Sequence, residues 1–132
     1  MTEYFTREEV EALIPRLTEI VGPLIDLHGQ VLRLRAELRD EQHRIMLSGG
    51  GILDRDAWRE RARRVEELTR EIQPGIEAIL ELGGVVKDLA MGLVDFPHLM
   101  DGRDVNLCWR FGETGIAFWH GLDEGYSARK PL

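Results

Sequence analysis

The chain is poor in cysteine, in basic charge and in long apolar runs. Its 132 residues include one cysteine, Cys108, so no disulfide can form within the chain. The formal net charge of -7 repels polyanions, and no basic stripe with interleaved aromatics occurs, so nucleic acid is not an expected partner. No apolar run approaches the roughly 20 residues of a membrane span, so no membrane partner is expected either. The first nine residues are charged and lack a signal-peptide core. A lone free thiol without a leader fits a reducing compartment, and the expected location is cytoplasmic. Also missing are CxxC, HxxxH and HExxH spacings. Ser48-Gly49-Gly50-Gly51 lacks the lysine of a phosphate loop and reads as a flexible connector.

What is present begins with helix. Thr6 stands three residues before Glu9, the spacing of a capping box, and Phe5 and Val10 flank it as a hydrophobic staple. Val10, Leu13, Leu17, Ile20, Leu24, Leu27, Val31, Leu34 and Leu38 then alternate at spacings of three and four, the seam of a helix packed against a partner helix. Pro15 and Gly22-Pro23 interrupt this seam, and a kink or break is expected near Gly22. The glycine run at 49–51 ends the helix. Asp54 can cap a second one, whose stripe is Trp58, Val65, Leu68, Ile72, Ile79 and Leu82 and whose stop is Gly83-Gly84. The pair predicts an antiparallel helical hairpin over residues 1–84. Ile14, Val21, Ile25 and Leu32 widen the apolar face of the first helix beyond what one partner helix covers. That excess must meet the C-terminal module, a second copy of the chain, or both, and a homodimer is expected from it.

The last third differs in character. Leu93 to Leu132 contains the only cysteine, two of the three tryptophans and two of the four histidines. Val85-Val86 and Leu93-Val94-Asp95-Phe96 read as short strands, the second ended by Pro97. Asp101-Gly102 is a turn signal. Val105, Leu107, Trp109 and Phe111 alternate with Asn106, Cys108 and Arg110 at strand period, and Ile116 to His120 returns after a glycine-containing loop. Residues 85–132 therefore form a small antiparallel sheet with a C-terminal tail. The whole is one α+β domain over 1–132.

Several local motifs resemble one family. Phe5-Thr6 with Glu8-Glu9 and Pro15, Lys87-Asp88-Leu89, Gly92-Leu93-Val94-Asp95-Phe96-Pro97, Leu107-Cys108-Trp109, Gly112-Glu113, Trp119-His120, and Gly125 with Arg129 to Leu132 together resemble an uncharacterised bacterial family, domain of unknown function 2203. The likeness spans nearly the whole chain. It implies a helical hairpin with a small β module and implies no activity.

The candidate chemistry lies in the β module. Asp95, Cys108 and His120 are metal-ligand types that together suit zinc or iron, with Asp88 and Glu113 nearby, so a divalent metal is the candidate cofactor. Hairpin parity opposes them. With Phe111 opposite Ile116, Cys108 faces Trp119 and His120 faces Leu107, on opposite sides of the sheet. That same parity separates Trp109 from Trp119, so one is core and the other is either covered by the helices' spare apolar surface or walls a ligand site. On this reading Cys108 is a small buried apolar residue. Its use as a nucleophile would need Arg110 or His120 to stabilise a thiolate. Asp88 and Asp95 could form an acid–base pair across a turn. A buried Asp95 requires a partner, and Arg129 and Arg103 are the expected cations. Arg129 alternatively pairs with Glu113 and orders the tail. The candidate binding residues are thus Asp95, Trp119, His120 and Arg129. The leading expectation is a non-enzymatic, self-associating binding or scaffold protein. The alternative is a metal- or small-molecule-dependent enzyme with its site in the β module.

Overall fold

A computed structural model describes residues 3–47 and 55–132. Helix α1 spans Arg7–Leu47, and its start is built as the sequence dictates. The backbone N–H of Thr6 donates to Glu9 Oε1 at 3.0 Å, and that of Glu9 donates to Thr6 Oγ1 at 3.1 Å. Phe5 and Val10 are buried in one cluster on either side of this capping box. Thr6→Ala should therefore cost about 1 kcal/mol in chemical denaturation, the usual worth of a cap. A change below a few tenths would mean that the apolar staple alone holds the helix entry.

The expected break near Gly22 does not occur. Helix α1 runs unbroken for 41 residues through Pro15 and Pro23. Each proline forfeits one intrahelical bond, but the turns on either side bury Leu17, Val21 and Leu24, and this packing holds the axis together. Helix α2 spans Arg55–Leu82 and likewise continues through Pro74. Its stop at Gly83-Gly84 is a Schellman turn: Gly84 N–H reaches Ile79 O and Gly83 N–H reaches Leu80 O, both at 3.0 Å, with Gly83 at φ +101°. The connector at 48–51 and the cap at Asp54 lie outside the described residues.

The seam is filled within the chain. Leu24, Val31, Leu68 and Ile72 form one buried cluster, flanked by Leu27, Leu34, Val65 and Ile76. Arg61, which falls between Trp58 and Val65 on the stripe of α2, stands 3.5 Å from Glu37 across the hairpin. No helix among the described residues is long and apolar enough to cross a membrane.

Five strands follow in simple sequential order: β1 Val85–Asp88, β2 Leu93–Met100, β3 Arg103–Arg110, β4 Phe118–Gly121 and β5 Lys130–Pro131. All neighbours pair antiparallel. Asp101 (φ 50°) and Gly102 (φ 77°) make the two-residue turn between β2 and β3, where Met100 pairs with Arg103; positive φ at both centres is the type I′ signature.

Pro97 does not end β2, which continues to Met100. The short β1 pairs only as far as Asp95, so beyond that point β2 has an open edge. The Pro97 carbonyl accepts from Phe5 N–H at 2.8 Å on that edge, so the missing proline N–H also points away from β3. His98 Nδ1 donates to Phe5 O at 2.6 Å, and Phe5 meets Phe96 edge-to-face at 5.3 Å. The residues before α1 thus cover an edge that β1 leaves bare.

Val94, Phe96, Leu107 and Trp109 line the helix-facing side of the sheet and pack with Val10, Leu17, Val21 and Ile79. Ile14 and Ile25 join that cluster. Three of the four residues that widened the face of α1 are therefore covered by the chain's own sheet, and Leu32, 47% exposed, is the one left open.

Candidate metal centre

The site arises from the face of the sheet turned away from the helices. Cys108 pairs with Asp95 on one side and with Phe118 on the other, while His120 pairs with Asn106, two residues before Cys108. Alternation then puts Asp95, Cys108, His120 and Asn106 on one face. This corrects the expected hairpin parity. Leu107 faces Trp119, not His120, a shift of one residue that exchanges the two faces.

The cause is non-local. Ile116 does not pair with Phe111 but is wholly buried in the helix-facing core, and its N–H donates to Glu11 Oε1 on α1 at 3.1 Å. The loop drops to the helix before β4 begins. By the same shift Trp109 and Trp119 share the helix-facing side. Trp109 is fully buried there, with Nε1 donating to Glu113 O at 3.0 Å, and Trp119 lies under Lys130 Nζ at 4.7 Å.

Asp95, Cys108 and His120 are 2%, 1% and 3% exposed. One ligand atom from each lies within 4.8 Å of the others. His120 Nε2 stands 3.1 Å from Asp95 Oδ1 and 3.0 Å from Oδ2. Its other ring nitrogen, Nδ1, is 2.8 Å from Gly121 O. A carbonyl only accepts, so Nδ1 carries a hydrogen, and Nε2 is the nitrogen turned to the Asp95 carboxylate, where a bound metal would displace its proton. Asp95 therefore has a partner, but it is His120, not Arg129 or Arg103.

Burial pushes the Cys108 thiol up from its ordinary 9.0 to about 12, with the Asp95 charge and a thiol hydrogen bond to Asp95 adding to the effect and Arg129 opposing it. The residue is a neutral thiol at physiological pH, which removes the basis for a free nucleophile. Because the folded value lies above the unfolded one, the native state keeps its proton when the unfolded chain has lost it. Stability should be unaffected by this group below about pH 9 and should fall by up to about 1.4 kcal/mol per pH unit as pH rises from about 9 toward 12. Cys108→Ala, compared with wild type by denaturation across that window, should flatten the decline. An equal decline in both would assign it elsewhere.

The family model of the uncharacterized conserved protein DUF2203 matches residues 3–132. The chain belongs to this family. No curated protein and no solved structure matches it.

The other candidates of this DUF2203 chain serve the frame around the cluster. Arg129 Nη2 reaches Glu113 Oε1 and Oε2 at 2.6 and 2.9 Å and Cys108 O at 3.2 Å, and the guanidinium stacks 4.1 Å from the Phe118 ring centre. The tail is thus tied to the β3 residue that carries the thiol. Burial opposes the charge on Arg129, yet Glu113 and its neighbours leave it held above its ordinary range. Glu113 also accepts from Arg110 N–H at 2.6 Å. Asp88 accepts from Met91 N–H at 3.0 Å and shapes the β1–β2 turn, and its partner in the ladder is Leu93, while Asp95 is paired with Val85. Arg110 bonds Tyr126 Oη at 3.0 Å. The cleft lined by Gly22, Pro23, Ile25, Met91 and Phe111 includes none of the three donors. Asn106 was legible only as the polar alternate between Val105 and Leu107. Nothing short of the register places it beside His120.

Proposed function

We propose that this chain is a metal-binding protein whose centre is Asp95, Cys108 and His120. The observation that carries this reading is the orientation of His120. Metal-bound histidines typically donate their second ring N–H to a carbonyl or carboxylate, which fixes the ring and presents the free nitrogen. His120 does this through Nδ1 and Gly121 O, and Nε2 meets a carboxylate from β2 and a thiol from β3. Donors bound to one zinc-type ion stand roughly 3–4 Å apart, given bonds of about 2.0–2.3 Å, and the cluster is within a small adjustment of that. Sulfur and imidazole favour zinc, cobalt or iron over magnesium or calcium. A dication with one thiolate and one carboxylate is electrically neutral, as a buried centre should be.

The whole chain, purified without a metal-binding tag, should carry or take up one equivalent of zinc. Cobalt in its place should give a thiolate-to-metal absorption band, and Cys108→Ser should lose that band together with most of the affinity. Wild type that takes up neither ion would leave the cluster as a hydrogen-bonded element of the sheet and overturn the reading. The self-association expected of the helical hairpin is the second component of the proposal, and Leu32 is its remaining support on α1 among the four residues that suggested it. A monomer mass by light scattering at micromolar concentration would remove that component and leave the first intact.

A further inference from the structure

Resting on the metal-binding reading, we infer that the centre has an open fourth position and that Asn106 holds the small oxygen or anionic ligand that fills it. Among the described residues, three His, Cys, Asp or Glu side chains converge, one from each of three adjacent strands. Zinc-type ions take four ligands, and three protein donors plus an exchangeable one is the arrangement of open sites.

Asn106 is the residue placed to serve that position. It stands directly opposite His120 in the β3–β4 ladder, where side chains are about 4.5–5.5 Å apart at Cβ, and it precedes Cys108 by two on the same face. It is 8% exposed, against 1–3% for the three donors, so it lies at the margin where the buried cluster meets solvent. Its carboxamide is not among the buried unsatisfied groups of the described residues, so it keeps contact with solvent while facing the cluster. A valine or threonine would suit a strand at least as well, so an amide at this margin, opposite His120, is available to a ligand of the cluster. An amide can donate to a bound anion or accept from a bound water, so one side chain serves either occupant.

The test uses the cobalt-loaded chain and azide as the probe. Wild type should bind azide saturably, with a shift of the cobalt d–d bands. Asn106→Leu, close in volume, should keep one cobalt and the thiolate band but bind azide at least about tenfold more weakly, the worth of one hydrogen bond to a charged group. Asn106→Asp should place its own carboxylate in the fourth position and abolish the azide response while retaining cobalt. Cobalt uptake with no azide response in wild type would overturn the open position and the role of Asn106 in it, leaving the metal centre intact. Equal azide affinity in wild type and Asn106→Leu would overturn the role of Asn106. Failure of wild type to take up cobalt would overturn the metal centre itself and this inference with it.

Discussion

His120→Ala should destabilise the metal-free protein by about 3–5 kcal/mol, more than most single changes on this sheet. The substitution removes the one strong partner of a carboxylate that is 2% exposed, leaving Asp95 with the weak S–H of Cys108. Asp95→Asn alone should cost less, about 1–3 kcal/mol, because a neutral amide still fills the site and the lost interaction is a charge-assisted hydrogen bond. Made on top of His120→Ala, it should recover part of the loss, since no buried charge then lacks a partner. Urea denaturation of the four proteins in chelator measures this coupling directly. Additive effects of the two substitutions would show that the contact at 3.0–3.1 Å contributes nothing beyond packing. The same series with zinc added separates the structural share from binding, because a ligand of the native state raises stability only where the site is intact.

The parts of the fold that were legible in the sequence are those whose causes are local. Thr6 and Glu9 satisfy each other within one turn, Gly83-Gly84 ends α2 through its own backbone geometry, and Asp101-Gly102 closes a hairpin with the two residues that tolerate positive φ. Each can be read from a few adjacent letters. What escaped depended on distant partners. Pro97 reads as a strand end, but it sits where β1 has already stopped and Phe5, more than ninety residues earlier, supplies the hydrogen bond. Pro23 reads as a break, but the sheet and α2 bury both neighbouring turns.

The candidate site was legible as a set of residue types and not as a geometry. Metal-ligand types at Asp95, Cys108 and His120 could be named, yet their faces hung on a single register. That register is set by Ile116 and Glu11, a contact between the β3–β4 loop and the first helix. A period-2 pattern fixes faces only within a strand, and a loop that detours by one residue exchanges them in the next. The same dependence gives the loop a functional weight: the bond that positions Ile116 also decides whether His120 meets Asp95.

Gly83→Ala should be the most damaging glycine substitution relative to its size, at about 2–5 kcal/mol. Two terms add. An L-residue at φ +101° carries a left-handed backbone cost of about 1–2 kcal/mol. Its new methyl would also stand 2.2 Å from Phe5 Cζ and 2.6 Å from Cε2, inside a ring held by Phe96 and by backbone bonds on both sides of its residue. Relieving such an overlap in a packed core costs a further 1–3 kcal/mol or so. Gly102→Ala isolates the first term, because Gly102 also has a positive φ, +77°, but its methyl would meet nothing within 4 Å. The difference between the two variants in urea denaturation is therefore the cost of moving Phe5. That ring closes the α1 entry, caps the bare edge of β2 and packs on the core, so its displacement should also loosen the Phe5–Pro97 bond and quicken exchange of the Phe5 amide. Equal losses for the two variants, with an unchanged Phe5 amide, would mean that the ring yields freely and that the N-terminal segment contributes little to holding the sheet on the helices.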